Sequence, residues 1–387
     1  MTTPDELLAL DTLLDDDERD TAATVRAFLD DRVRPNIARW YLDGTLPARD
    51  LAKELGSLGL LGMHLEGHGC AGTTATMYGV ACRELEAVDA GVRSLVSVQG
   101  SLAMFAIHAF GSDAQRHEWL PRMAAGDALG CFGLTEADAG SDPGAMRTRA
   151  RRDGDDWVLD GTKMWITNAP VADVAVTWAM TDDGLRGFVV PTSAPGFTAT
   201  EVPGKLSLRA SITGEIAMDG VRLPGDAVLP GVKGLKGPLS CLSEARFGIV
   251  WGAVGSIRDT LTTALEYAGT RVQFDRPIAG FQLTQAKFAD AAAAYAKAAL
   301  LAVHLGRLKD AGTLTPAQVS VGKLDNVRAA LAVARSMRTV LGGSGITADY
   351  SPMRHAANLE TVLTYEGTQE VHQLIVGQAL TGLNAFS

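Results

Sequence analysis

The hydrophobic pattern of this chain changes period twice, and that double change constrains its fold more than any other feature. From about Asp17 to Gly126 apolar residues recur at three-to-four spacing, in Ala22–Val33, Ala48–Leu58 and Met77–Val88, which predicts helices. Trp119-Leu120-Pro121 is expected to break the last helix of this zone. From Gly130 to about Gly231 the texture turns strand-like, in Trp157–Leu159, Val174–Ala179 and Arg186–Val190, punctuated by Gly, Pro and Asp turns. The glycine-rich stretch Gly231–Pro238 is expected to be a linker. Ala/Leu-rich helices follow at Leu239–Ala268, Leu283–Asp310 and Pro316–Leu341, with a last pair around Tyr350–Leu359 and Glu370–Leu380. The expectation is an α+β fold, mainly α, with domains 1–128, 129–235 and 236–387, a helical bundle on either side of a β domain. Ala291–Leu305 is apolar on most faces, so it is expected to be buried all round, inside a bundle or at a subunit interface.

Composition narrows the function classes. The 387 residues can bury a large core, and 47% hydrophobic with 21% charged residues is an ordinary globular profile. A net charge of -10 argues against nucleic acid, which needs a basic stripe. Cys70, Cys82, Cys131 and Cys241 form no CxxC pair, which points to reduced thiols in a cytosol. The acid-rich stretch Met1–Asp20 lacks the features of a signal or transit peptide, and no run is expected to reach the roughly 18 apolar residues of a membrane span.

There is no Walker A sequence, no GxGxxG that opens a βα unit, and no GxSxG elbow. His64 and His68 have i, i+4 spacing, but Gly62, Gly67 and Gly69 disfavour a helix there, so no metal site is expected. Leu341-Gly342-Gly343-Ser344-Gly345 follows a helix; it is either a helix C-cap or a place of close backbone approach to a phosphate or sugar. Gly130–Asp142 starts as an apolar strand and breaks into a loop of small residues, whose Thr135 and Ser141 hydroxyls and backbone N–H groups suit the polar edge of a planar ligand or a phosphate. In Lys163–Asn168, alternation along an extended strand puts Trp165 and Thr167 on one face, an indole and a hydroxyl suited to a flat heteroaromatic such as flavin. Thr364-Tyr365-Glu366-Gly367-Thr368 has two readings: a helix-start turn with Thr368 as N-cap and Glu366 solvated, or a base that approaches a substrate carbon beside a cofactor.

Phe132–Ser141, Trp165-Ile166-Thr167, Arg271-Val272-Gln273-Phe274, Leu341–Gly345 and Tyr365-Glu366-Gly367-Thr368 stand in one order along the whole chain, and with them the sequence resembles the acyl-CoA dehydrogenases. The resemblance implies an N-terminal helical domain, a middle β-barrel-like domain and a C-terminal four-helix bundle, assembled as a homotetramer with FAD. It implies FAD contacts at Phe132, Leu134, Thr135, Ser141, Trp165, Thr167, Thr368 and Phe386. Arg271, Phe274 and Gln282, with the Thr339–Gly343 stretch (Leu341, Gly342, Gly343) of a neighbouring subunit, would hold the adenine dinucleotide part. Glu366 falls at the catalytic base, and Ser141, Leu242, Arg246, Tyr365 and Gly367 at the acyl-CoA. Some branches carry the base just before the arginine of Ser243-Glu244-Ala245-Arg246; Ala245 stands there, and Glu244 would face elsewhere.

Arg93 has a bland reading as a salt-bridging residue. The Arg93-Ser94 pair also resembles the glutaryl-CoA branch, where such a pair clamps the distal carboxylate; a planar guanidinium suits that group, and unpaired it would penalise plain acyl chains. Gly204–Ser211, Leu305–Asp310, Arg354–Glu360 and Thr381–Phe386 are similar to the same branch, and Glu86 and Tyr365 resemble members that decarboxylate to crotonyl-CoA. Val92, where a bulkier aromatic is expected, and Gly100–Ala106 depart from it. The resemblance implies an acyl-CoA substrate and an electron-transfer flavoprotein as acceptor. The alternatives are a dehydrogenase for another acyl-CoA, a flavin oxidase or oxygenase on this fold, and a non-catalytic scaffold.

Overall fold

The computed structural model describes residues 2–386. Eight helices come first: α1 (Pro4–Leu8), α2 (Asp16–Arg32), α3 (Arg34–Asp43), α4 (Ala48–Ser57), α5 (Ala75–Val88), α6 (Ala90–Ser97), α7 (Phe105–Phe110) and α8 (Asp113–Ala124). The sheet strands are β1 (Gly130–Gly133), β2 (Arg149–Asp153), β3 (Asp156–Thr167), β4 (Val174–Thr181), β5 (Gly184–Pro191), β6 (Phe197–Glu201) and β7 (Thr213–Leu223). The helix α9 (Lys236–Thr270) leads through the hairpin β8 (Val272–Gln273) and β9 (Arg276–Pro277) into α10 (Gln282–Asp310), α11 (Pro316–Val340), α12 (Ser351–Thr364) and α13 (Gln369–Thr381).

The seven-stranded sheet runs β1-β4-β2-β3-β7-β6, with β5 on the other edge of β4. It curls around a core of its own, which includes Trp157, Phe188, Ile216 and Val221. A second, larger core fuses the N-terminal helices with the C-terminal bundle through Tyr78, Phe247, Trp251 and Tyr295.

Several expectations change. Pro121 does not break the chain: α8 runs through it to Ala124, because Trp119, Leu120, Met123 and Ala124 are all buried and their packing outweighs one lost backbone hydrogen bond. The expected linker ends early, with Gly237 and Pro238 already in the first turn of α9, where proline's missing N–H costs nothing. The run Ala90–Phe110 and the helix Gln282–Asp310 do reach the length and mean hydropathy (1.3 each) of a membrane span, since scattered polar residues are offset by many small apolar ones. The first is 89% buried in this core and the second 33%. That second helix, α10, buries Ala291, Tyr295, Ala298, Ala302 and Leu305 on one face but leaves Leu300 half out, so within one chain it is not enclosed all round.

Candidate active site

The turn after α12 has an unusual backbone. Glu366 has φ +56 and Gly367 φ +93, two left-handed residues in succession; a non-glycine residue there is uncommon and held by its surroundings. Thr368 caps α13 by accepting from the Val371 N–H. Thr368 is thus an N-cap as expected, yet Glu366 is not solvated: its Oε2 is sealed and has no hydrogen-bond partner among the described residues. Burial raises the Glu366 carboxyl above its ordinary range, against the pull of Arg246, Lys323 and Arg93. Arg246 Nε donates to the Glu366 carbonyl at 2.7 Å. Lys323 donates to the carbonyls of Tyr365 and Gly367, the latter at 2.6 Å. Gly367 has little room: a Cβ there would lie 3.1 Å from both Arg246 Nη2 and His372 Nε2. Burial, with Lys323 and Arg246 nearby, pushes His372 down to about 3, so this imidazole is neutral.

Above the turn stands a second charged group. Arg93 Nε donates to Glu86 Oε2 at 2.7 Å and its Nη2 to the Tyr365 hydroxyl; Ser256 Oγ on α9 donates to the other Glu86 oxygen at 3.3 Å. Arg93, Glu86 and Ser94 are all buried. Despite burial, Tyr365 and Glu86 hold Arg93 protonated above even the usual arginine range. Asp89 fixes the helix that carries Arg93: it caps α6 through the Gly91 N–H at 2.7 Å and receives Arg354 (3.0 Å) and Asn358 (2.9 Å) from α12. That same α12 ends at Tyr365, so Arg93 and Glu366 are placed by one shared joint. Leu242 is half-buried one helical turn before Arg246.

The sheet contributes the other wall. Between Lys163 and Ile166 the β3–β7 register slips, and Trp165 takes φ +64. Trp165 is exposed and Thr167 half-buried on either side of buried Ile166, but the backbone at Trp165 is a bulge rather than the expected extended strand. A bulge re-aims a side chain, and Trp165 is 57% exposed. The bulge is tied to the loop after β1: Met164 N–H donates to Thr135 O at 2.9 Å, and Lys163 Nζ to Leu134 O (3.1 Å) and Glu136 Oε1 (2.9 Å). Burial lowers Lys163 to about 8, with Glu136 opposing. Phe132 and Leu134 are buried beneath, Phe132 edge-on to Trp178, while Ser141 is exposed.

A third surface stands apart. Twenty-five residues separate Arg246 from Arg271 at the end of α9, roughly 37 Å of helix. Phe274, 89% exposed, has φ +51 and Asp275 φ +61, the two central residues of the β8–β9 turn. Gln282 is exposed at the start of α10, and Phe386 is exposed beyond α13. After α11 the buried Leu341 is followed by Gly342 and Gly343, and a Cβ on either glycine would meet nothing within 4 Å. This loop is a helix end, and it also offers open backbone to a ligand.

Glu244 does face elsewhere, held by Lys309 at 2.7 and 2.8 Å. Sequence reasoning missed Lys323, His372, Asn358 and the Glu136–Lys163 pair. Lys323 had one legible signal: it sits among Val319, Ser320, Asn326 and Val327 on the buried face of α11.

A carboxylate with one oxygen sealed from water and unpartnered, and with cations beside it, can take a proton from a carbon acid; the exposed indole and hydroxyl edge on the sheet fits a planar cofactor. Family models match along the chain in the same order as these three structural zones: acyl-CoA dehydrogenase N-terminal domain over residues 15–127, middle domain over 131–221 and C-terminal domain over 233–381. The mitochondrial short-chain specific acyl-CoA dehydrogenase of Homo sapiens is 36% identical over 361 residues, 91% of this chain and 87% of its own. A glutaryl-CoA dehydrogenase of Mycobacterium smegmatis superposes with a TM-score of 0.99 at 64% identity, covering 100% of both chains. A glutaryl-CoA dehydrogenase structure from the same organism, in complex with FADH2, gives 0.99 at 62% and the same coverage.

Proposed function

The chain belongs to the acyl-CoA dehydrogenase family, FAD-dependent oxidoreductases of acyl-CoA thioesters, and we propose that within it this enzyme oxidises glutaryl-CoA and decarboxylates the product to crotonyl-CoA. The observation that carries this reading is Arg93, a buried guanidinium bound to Glu86 and Tyr365 directly beside the Glu366 turn. Nε and one Nη2 hydrogen are engaged there, which leaves further N–H donors of a five-donor fork for a distal carboxylate.

Glu366 acts as the base. Its free Oε2 receives the α-proton of the thioester, and burial strengthens it for that task. FAD supplies the acceptor for the hydride that leaves the β-carbon. Thr135, Thr167 and Trp165 would hold its ring edge, with Leu134 and Phe132 as further contacts, Ser141 would lie by its pyrophosphates, and Thr368 would also contact it. Arg271, Phe274, Gln282 and Leu341–Gly343 serve the adenine dinucleotide part, on a surface about 37 Å of helix from the Arg246 anchor, so a neighbouring subunit completes the site. A second copy is thereby required, for which the exposed Leu283 and Leu300 of α10 offer apolar surface, and the family resemblance implies a homotetramer. Leu242, Arg246, Gly367 and Ser94 line the acyl-CoA. Electrons leave to an electron-transfer flavoprotein, and the four free cysteines suit a cytosolic setting.

Anaerobic mixing with glutaryl-CoA and with butyryl-CoA, followed by flavin bleaching, tests the reading. Glutaryl-CoA is expected to bleach the flavin faster and to release CO2; bleaching by butyryl-CoA alone would refute the substrate assignment. Glu366→Gln is expected to retain FAD and lose bleaching with either thioester.

A further inference from the structure

Three consecutive carbonyls at the base turn each accept from a buried cation. Lys323 on α11 holds the carbonyls of Tyr365 and Gly367, and Arg246 on α9 holds the one between them, that of Glu366. Both cations are buried, Lys323 at 2% exposure and Arg246 at 7%. Removing an ammonium from water is costly, so its place must be fixed by what it holds. Here that is two backbone carbonyls on either side of a left-handed glutamate.

We propose that Lys323 is a positioning residue for proton abstraction, fixing the peptide planes on both sides of Glu366. The inference rests on the reading of Glu366 as the base. A trans peptide points its C=O and N–H in opposite directions. With the Tyr365 carbonyl on Lys323, the Glu366 N–H is directed to the opposite side of the turn. With the Gly367 carbonyl on the same ammonium, the Thr368 N–H is directed likewise. One side chain therefore sets the orientation of the base's own amide and holds φ +56 at Glu366, while its charge also favours the carboxylate form. The groups that face this turn are Glu366 and Tyr365 themselves, Lys323 on α11, Arg246 and Cys241 on α9, Arg93 on α6 and the neutral His372 on α13. Burial lowers the Lys323 ammonium to about 7, with Glu366 opposing, so its charge bears on Glu366 at and below neutral pH while its carbonyl contacts carry the positioning.

The test uses the FAD-loaded enzyme and two reactions. Exchange of the acetyl-CoA methyl protons in D2O, followed by NMR, needs the base but offers no β-hydride; oxidation of glutaryl-CoA needs both steps. Lys323→Met is expected to keep its FAD and to slow exchange and kcat together by about 30-fold or more, with KM within about threefold, the signature of an interaction made in the transition state. Its exchange is also expected to need a higher pH, and Lys323→Arg, which retains a cation, to move that pH limb back toward wild type while the rate stays below it. Exchange and kcat within about threefold of wild type in Lys323→Met would overturn the proposal. Should Lys323→Met lose FAD or fail to fold, Lys323→Arg decides: slowed exchange at unchanged KM supports the role, and wild-type exchange removes it. Glu366→Gln serves as the reference, since exchange that survives there refutes the base assignment whatever Lys323 does.

Discussion

Arg93 Nε and Glu86 Oε2 lie 2.7 Å apart with both side chains sealed from solvent, 2% and 0% exposed. Seven residues separate them, across the Asp89 junction between α5 and α6. The pair is thus set by a bend in the backbone rather than by one helix face. A buried pair with its hydrogen bonds made is tolerable; either partner alone is not.

Arg93→Met is expected to raise KM for glutaryl-CoA by about ten- to a hundredfold, the worth of a hydrogen bond to a charged group, and to leave KM for butyryl-CoA within about threefold. It should also destabilise the fold by roughly 3–5 kcal/mol, because Glu86 is left buried and uncompensated. Adding Glu86→Gln should recover much of the stability and none of the glutaryl-CoA affinity. Steady-state kinetics with chemical denaturation of the two variants separates the effects.

Glu366 carries a stability cost that depends on pH. A carboxyl raised in the folded state keeps a proton that the unfolded chain has already lost, so stability falls as pH rises from the ordinary carboxylate range through the folded value. Glu366→Gln is expected to melt higher than wild type at pH 8 and to lose that advantage near pH 4. Thermal melts across this range check it; a variant that melts lower than wild type at pH 8 would show that the surrounding cations outweigh burial.

Glu136 shows the opposite sign. It is buried, yet the Arg147 and Thr148 N–H groups, the Thr148 hydroxyl and Lys163 bring it down to about 2. Its contribution to stability is present above the unfolded value near 4.5 and is lost as pH falls toward 2. The stability gap between wild type and Glu136→Gln is therefore expected to be full at pH 7 and to close toward pH 2, measured by urea denaturation. Trp165 fluorescence should shift in the variant, since the loop that braces the bulge is released.

Helices α5 and α9 cross almost backbone to backbone at Gly255, where a Cβ would lie 1.9 Å from the Arg83 carbonyl oxygen. Gly255→Ala is expected to destabilise by about 3 kcal/mol or more through overpacking, without direct contact with the base turn. Circular-dichroism melts report the loss, and kcat of the folded fraction should stay within about twofold of wild type.

Phe274-Asp275 occupies a turn whose two positive φ values suit Asn-Gly far better than a bulky aromatic. Replacing the pair by Asn-Gly should relax the hairpin and yet weaken FAD retention about tenfold or more, with a shift toward smaller oligomers in size-exclusion chromatography. Unchanged FAD retention would remove this hairpin from the cofactor site.

Much of this architecture is legible in the sequence because period and burial agree. Met77–Val88 and Pro316–Leu341 carry helix-spaced apolar residues, and Val174–Ala179 is a buried strand with the apolar continuity such strands show. The failures share another cause. Pro121 is carried through a helix because Met123 and Ala124 beside it pack against distant Gly130 and Gly56, and Trp165 leaves the extended conformation through a bulge set by pairing with β7; both causes are contacts far away in sequence. In the candidate site, Glu366 and Arg93 are legible as candidates because each stands in a recognisable local motif. Lys323 is not, because its contact is with backbone atoms 42 residues away, which leave no mark on residue identity.

The Gly204–Ser211 loop has a mechanical consequence. Lys205 is anchored on the Leu208 and Ser211 carbonyls and on Thr213 of β7; Arg209 reaches the Tyr41 and Leu42 carbonyls at 2.8 and 2.6 Å, and Leu208 N–H is received by Asn358 of α12 at 2.8 Å. The loop is thus fastened at once to the sheet, to the N-terminal helices and to the helix that leads into the Glu366 turn. Since β7 pairs directly with the strand that ends in Trp165 and Thr167, this loop is a strap of fixed length between that pair of strands and the helix that leads into the Glu366 turn. A one-residue insertion at exposed Leu206 would touch neither end of that strap and yet change its length.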